Sequence, residues 1–214
     1  MKNIKLIIFD MDGVLVDSEK IWKKKEINFM KKFSSNFSSQ DQEKIVGGSI
    51  FSTFNFLKEF FHINISFQQF EKEYETFGLQ QIYPKVDLMP GVKNFLEFAS
   101  KKFLLALGSN SHKSWINTVV NQFDIKKFFQ TIVSAQDVKN GKPSPDIFLQ
   151  AAKNLKILSK NCLVLEDSEK GVLAAKKAKM KVFAIKNETN KNQNTNLADD
   201  FFENFLELQK NIDR

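Results

Sequence analysis

The sequence predicts an α/β fold in which a parallel sheet is covered by helices and interrupted once by an all-helical insert, and three observations predict it. Four short apolar runs, Ile4 to Phe9, Phe103 to Leu107, Cys162 to Leu165 and Val182 to Ile185, show almost no polar alternation. Strands of that kind are buried on both faces, as in a parallel sheet sandwiched by helices. Segments of helical period separate the runs, which implies right-handed crossovers in a doubly wound, Rossmann-like core. The third observation is a stretch from about 18 to 85 with helical patterning and no buried-strand signal.

The first element is a strand. Met1 to Asp10 opens with a basic residue and an apolar run, but the run is short, ends in acidic residues and lacks a small-residue cleavage site. Amphipathic segments follow at Glu19 to Phe33, Ser39 to Val46, Phe51 to Phe61 and Ser66 to Leu79, and these read as the helices of an inserted cap. Pro84 and the pair Pro90-Gly91 mark the return to the core, because Pro sets the turn and Gly relaxes it. Helical patterns at Val92 to Lys101, Lys113 to Phe123, Asp146 to Asn154 and Lys170 to Ala178 alternate with the remaining strands, among which Thr131 to Ser134 is a weaker fifth. Asn187 to Asn196 is low in complexity and reads as a polar loop before a final helix. The expected division is a Rossmann-like catalytic core of residues 1–17 and 86–214, with an all-helical cap of residues 18–85.

Composition narrows the function classes. A chain of 214 residues, 42% hydrophobic and 27% charged, is globular rather than disordered. No run approaches the roughly 20 apolar residues that span a bilayer, so no membrane partner is expected. The single cysteine, Cys162, excludes an internal disulfide framework and fits a reducing, cytoplasmic setting; its apolar run marks it as a packed core thiol. The net charge of +7 suits an anionic ligand. Nucleic acid is not expected, because the lysines are spread along the chain, Lys23-Lys24-Lys25 is followed by Glu26, and no Gly-aromatic-basic module accompanies them.

In open α/β sheets the ligand crevice lies beyond the carboxyl ends of the strands, so the residues after each run carry the chemistry. They are Asp10-Met11-Asp12-Gly13, Gly108-Ser109-Asn110-Ser111, Glu166-Asp167-Ser168 and, after the weaker strand, Gly141-Lys142-Pro143-Ser144-Pro145. Asp10, Asp12 and Asp167 are expected to converge with Glu166 beside them, and clustered like charges call for a bound cation or a raised pKa. Hard oxygen ligands in a small cluster suit Mg²⁺. Ser109 and Lys142 complete a phosphate site, the hydroxyl and helix-start amides donating hydrogen bonds and the ammonium neutralising charge. Each element alone has an ordinary reading as a turn or a helix cap. All four at one end of parallel strands point to phosphoryl transfer.

These motifs, Asp10 to Glu19, Ser109-Asn110-Ser111, Lys142 to Phe148, and Glu166-Asp167-Ser168 followed by Gly171, resemble the four ordered motifs of the haloacid-dehalogenase-like hydrolases. More narrowly they are similar to the branch containing β-phosphoglucomutase, phosphoglycolate phosphatase and the sugar-phosphate phosphatases, and the helical insert matches that branch's cap. The resemblance implies that Asp10 is a nucleophile forming an aspartyl phosphate, and that Asp12 protonates the leaving oxygen and then activates water. It implies that Asp10, the backbone carbonyl of Asp12, and Asp167 hold Mg²⁺, with Glu166 as an additional or water-mediated contact. Ser109 and Lys142 would hold the phosphoryl oxygens with Asn110 assisting.

The departures bear on the reaction. Where the mutase presents a histidine, a lysine and an arginine from its cap, this chain has Trp22, Val46 and Ile50, so a second phosphate lacks its grip and a phosphatase is the favoured reading. A sugar-phosphate mutase and a non-catalytic phosphometabolite-binding regulator are the alternatives. Trp22 is a candidate for stacking on a sugar face, or else for aromatic packing with Phe29 and Phe33; Gly47, Gly48 and Ser49 are further candidate substrate contacts from the cap. His62 and His112 fall in no motif and read as surface or capping residues. The expected partner is a small phosphorylated metabolite, a sugar or polyol phosphate, and the expected state is a monomer or weak dimer.

Overall fold

The computed structural model describes residues 3–187 and 190–213. Met1, Lys2, Glu188, Thr189 and Arg214, which belong to the expected core and in part to the expected polar loop, lie outside the described residues. Among the described residues, β1 (Leu6–Phe9), β2 (Leu104–Ser109), β3 (Thr131–Ser134), β4 (Cys162–Glu166), β5 (Lys181–Ile185) and β6 (Asp200–Phe202) form one sheet. Its order is β3-β2-β1-β4-β5-β6 and every neighbouring pair is parallel.

Residues two apart on a strand share a face, which explains why these runs do not alternate. Ile7 and Phe9 enter one apolar layer while Leu6 and Ile8 enter the other, and Leu163 and Leu165 against Cys162 and Val164 repeat the pattern. All are fully buried. At about 1.5–3 kcal/mol for each large side chain removed from water, only a sheet covered on both faces satisfies such a sequence. Cys162 is part of this core, and burial pushes its thiol up to about 11.

Four helices of the insert follow β1: α1 (Glu19–Met30), α2 (Ser39–Ile45), α3 (Ile50–Phe61) and α4 (Phe67–Phe77). Serine sets three of their starts, since Ser38, Ser49 and Ser66 accept from the backbone N–H groups of Asp41, Ser52 and Gln69. α4 ends as a regular helix sooner than its periodicity predicts and continues as a widened turn over Gly78–Ile82. Gly78 opens that turn against the Trp115 ring, from which a Cβ at this position would lie 2.4 Å away. Pro84 falls in the next single turn, Tyr83–Lys85. Gly91, at φ +83°, then starts α5 (Val92–Ala99).

α6 (Lys113–Gln122) follows β2, α7 (Asp146–Asn154) follows β3, α8 (Glu169–Lys177) follows β4 and α9 (Phe205–Asp213) ends the described chain. Residues of α7 and α8 cover one face of the sheet, and residues of α5, α6 and α9 cover the other. β6 escapes sequence reading because three residues, Asp-Phe-Phe, give no period to detect. The chain passes from β1 outward through β2 and β3, then crosses back to β4, so the winding reverses between β1 and β4. A crevice opens at the carboxyl ends of those two strands. No helix among the described residues is long and apolar enough to cross a membrane.

Candidate active site

Asp10 follows β1 and Glu166 ends β4, strands whose register pairs Phe9 with Leu165. The Lys142 side chain reaches both from the loop between β3 and α7, its Nζ donating to Asp10 Oδ1 and to Glu166 Oε1, each at 2.6 Å. All three side chains are buried. Burial alone would depress the Lys142 ammonium, but the two carboxylates raise it above the ordinary lysine range. Burial pushes Asp10 up to about 7, with Lys142 opposing the rise and Glu166 and Asp12 adding to it. Asp167 is also raised, by burial and then by Glu166 and Asp10.

Room for these carboxylates comes from two glycines. Gly13 stands at φ +77°, and a Cβ there would lie 2.0 Å from Asp167 Oδ2; a Cβ at Gly171 would lie 1.8 Å from the Glu166 carboxyl carbon. Oxygens of Asp10, Glu166 and Asp167 all lie within 4.8 Å of one another. Hard oxygen donors at that spacing suit a divalent cation. Glu166 is the least free of the three. Its Oε1 holds Lys142, while its Oε2 accepts from the N–H groups of Asp167 and Ser168 and from the Ser168 hydroxyl at 2.9–3.1 Å. Asp10 and Asp167 are therefore the members suited to ligate.

The Asp12 carboxylate departs from the expected cluster, and Glu166 takes its place there. Three hydroxyl donors draw it away: Ser18 at 2.6 Å and Tyr83 at 3.1 Å on Oδ1, and Ser111 on Oδ2. Burial raises the Asp12 pKa and these hydroxyl bonds oppose the rise. Ser18 occupies the N-cap position of α1 yet makes no side-chain cap, because its hydroxyl is committed to Asp12. Ser109 is buried at the end of β2 and its Oγ accepts from Ser111 N–H at 3.1 Å.

The Asn110 side chain is engaged with backbone groups in this arrangement. Its Nδ2 donates to Gly47 O at 2.8 Å and to Lys142 O at 3.2 Å, while its Oδ1 accepts from Lys142 N–H at 2.8 Å. With both amide hydrogens engaged, the side chain ties the Gly47 and Lys142 loops together.

A cavity of about 80 Å³ lies between the helical segment and these groups. Asp10, Asp12, Ser109 and Lys142 form its floor; Glu19, Trp22, Glu26, Val46, Gly47, Gly48 and Ile50 line the opposite side. Ser49, a candidate contact, does not line it, and its hydroxyl caps α3 instead. Trp22 packs against Tyr74, Phe77, Tyr83 and Trp115 with ring centroids 5.3–6.2 Å apart, while Phe29 and Phe33 pair with each other. Helical spacing within α1 could not reveal partners contributed by α4 and α6.

Sequence reasoning missed a buried polar network on the cavity's far side. Glu26 accepts from the Tyr74 hydroxyl on Oε1 and from Gln42 Nε2 at 2.9 Å on Oε2. Burial pushes Glu26 up to about 7; burial with Asp12 and Glu26 nearby pushes Glu19 up to about 8. The i, i+3, i+7 spacing of Glu19, Trp22 and Glu26 was the available signal, since it places all three on one face of α1. Tyr83 offered no local signal.

Residues 7–185 match the family model of haloacid dehalogenase-like hydrolases. A phosphorylated carbohydrates phosphatase from Thermotoga maritima is 31% identical over 173 residues, covering 80% of each chain. The bifunctional riboflavin kinase/FMN phosphatase of Arabidopsis thaliana is 29% identical over 206 residues; the match takes in 95% of this chain and only 54% of that protein. Among solved structures, CbbY from Rhodobacter sphaeroides in complex with phosphate superposes with a TM-score of 0.78 over 96% of both chains at 20% identity.

Proposed function

This chain belongs to the haloacid dehalogenase-like hydrolases and hydrolyses phosphoric monoesters, and we propose that its substrate is a sugar or polyol monophosphate cleaved through a phosphoryl ester on Asp10. The observation that carries the reading is the Lys142 ammonium fixed 2.6 Å from Asp10 beside the Glu166 and Asp167 carboxylates, with Asp12 held separately by hydroxyls. A nucleophile and an acid two residues apart thus occupy different electrostatic surroundings.

In this mechanism an Asp10 oxygen attacks phosphorus as the bond from phosphorus to the leaving oxygen breaks, and Asp12 delivers its proton to that oxygen. The raised pKa of Asp12 favours the protonated form that this step requires. Asp12 then takes a proton from the water that attacks the aspartyl phosphate, which frees Asp10 and inorganic phosphate. Ser109 and Lys142 hold the phosphoryl oxygens throughout. Asp10, Asp167 and the backbone carbonyl of Asp12 would hold Mg²⁺, which supplies positive charge for the carboxylates and the phosphoryl oxygens. Glu166 positions Lys142. Residues 18–85 act as a cap that excludes bulk water, residues 1–17 and 86–214 as the catalytic core, and the setting is cytoplasmic.

Support for the substrate class comes from the cavity. Glu19, Glu26, Gln42 and Tyr74 offer polar partners for hydroxyl groups beside the Trp22 face. Val46 and Ile50 bring no cation to the wall, and the lysine that the cap does contribute, Lys23, stands beside the Glu19 carboxylate, which it partly offsets. The Thermotoga relative's name points to the same class.

The test is a phosphate-release screen over sugar, polyol, nucleotide and short-acid phosphates. Release is expected from sugar or polyol phosphates, to be lost on exhaustive chelation and restored by Mg²⁺. A hexose 1-phosphate given a bisphosphate primer should yield free sugar and phosphate in phosphorus NMR. Full activity after chelation removes the metal, and isomerisation outrunning release removes the phosphatase. Asp12→Asn should slow release of a sugar alkoxide by about 10²- to 10⁴-fold, the usual worth of general acid–base assistance. An aryl phosphate, whose leaving group needs no proton, should phosphorylate Asp10 far more normally. Equal single-turnover losses with both substrates would remove Asp12 as the acid.

A further inference from the structure

We propose that Asn110 and Lys170 are positioning residues that latch the helical cap shut and, through Asn110, let that closure set the placement of Lys142. The proposal rests on the phosphatase reading and adds a device to it. Two core side chains donate across the crevice to backbone carbonyls of one cap loop. Lys170, on the first turn of α8, sends its Nζ to Val46 O at 2.7 Å and to Lys44 O at 3.2 Å. Asn110, after β2, sends Nδ2 to Gly47 O at 2.8 Å.

The acceptors are ones that a donor stabilises. α2 ends at Ile45, so Lys44 O and Val46 O belong to a helix end whose last carbonyls lack partners within the helix and carry the negative end of its dipole. The half-buried Lys170 ammonium satisfies them and complements that dipole. The tight turn of this loop depends on glycine. Gly47 stands at φ +67°, and a Cβ there would lie 3.4 Å from Ser168; a Cβ at Gly48 would lie 2.8 Å from Ile45 O. Val46, Gly47 and Gly48 also line the substrate cavity, so the latched loop forms part of its wall.

Asn110 extends the latch to the chemistry. The amide that holds Gly47 O also accepts from Lys142 N–H and donates to Lys142 O, gripping the backbone of the residue whose Nζ meets Asp10. When the cap lifts, the Gly47 bond breaks and the amide keeps only its two bonds to the Lys142 backbone, so the Lys142 loop rests on a partner that is no longer anchored to the cap. Closing the cap restores both together. Neither Asn110 nor Lys170 donates from its side chain to the phosphoryl site in this arrangement, so each acts through another group.

The test uses the full chain and its two tryptophans, Trp22 in the cap and Trp115 in the core, both of which line the cavity. Lys170→Met keeps the apolar stem and removes the donor. Acrylamide quenching of tryptophan fluorescence should rise, and kcat/KM for a hexose phosphate should fall by about tenfold, the worth of a charge-assisted hydrogen bond. Acetyl phosphate, which brings no sugar hydroxyls for the cap to hold, should lose much less, and Lys170→Arg should recover both readouts. Asn110→Ala should lower kcat even for acetyl phosphate, by about 10- to 100-fold, because Lys142 is displaced as well. Wild-type quenching and an unchanged ratio of the two substrates in Lys170→Met would overturn the latch. An Asn110→Ala effect confined to KM would overturn its coupling to Lys142. If the wild-type protein released phosphate from no substrate, the phosphatase reading would fall, while the quenching comparison would still decide the latch.

Discussion

Asp10→Asn is expected to reduce phosphate release by on the order of 10⁴- to 10⁶-fold, as loss of a covalent nucleophile does elsewhere. An amide has no anionic oxygen to form the phosphoryl ester. The fold should tolerate the change, because the amide oxygen can still accept from Lys142, which keeps its second partner in Glu166. Rapid quench with labelled substrate should find phosphate on the wild-type protein and none on the variant. Continued wild-type turnover with no labelled protein at any time would remove the covalent mechanism.

Lys142→Met is expected to damage both catalysis and stability. Loss of one donor to the transferring phosphoryl group should cost about 10²- to 10³-fold in turnover. Removing one member of a buried ion pair costs about 3–5 kcal/mol, since the partner charges are left uncompensated. Here they are Asp10 and Glu166, with Asp167 beside them. Without the ammonium, the already raised carboxyl pKa of Asp10 moves further above its unfolded value, so the folded state binds protons that the unfolded chain has released. Stability in the variant must then fall as pH rises from about 4, the ordinary carboxyl value. The gap in melting temperature from wild type, measured without metal, should widen as pH rises above about 7, because below that Asp10 stays protonated in both folded proteins. A gap constant through that rise would show that the lysine contributes packing rather than charge.

Much of this architecture was legible because strand burial writes itself into contiguous sequence. Leu6 to Phe9 must be apolar at every position when alternate residues face two covered layers. The residues that end such strands converge by topology alone, which is why the sequence brings Asp10, Ser109 and Asp167 together; Lys142 joins them from the longer loop after β3. What local sequence does not encode is how a polar side chain divides its hydrogen bonds. Ser18 looks like a helix cap and serves Asp12; nothing in the Asn110 segment announces its bonds to Gly47 and Lys142. The Glu26, Tyr74 and Gln42 network joins three helices, so no single window contains it.

Both histidines serve as helix caps. His112 starts α6, where its ring accepts from Ser114 N–H, and His62 ends α3 at φ +50°. Neither lines the catalytic cavity. The crevice therefore contains no imidazole, the side chain that ordinarily governs rates near neutrality. An inflection in the activity profile close to pH 7 would be a carboxyl signature, and its ionisation enthalpy would be near zero instead of the strongly endothermic value of a histidine. A temperature series of pH profiles thus becomes a direct assay of which kind of acid this enzyme uses.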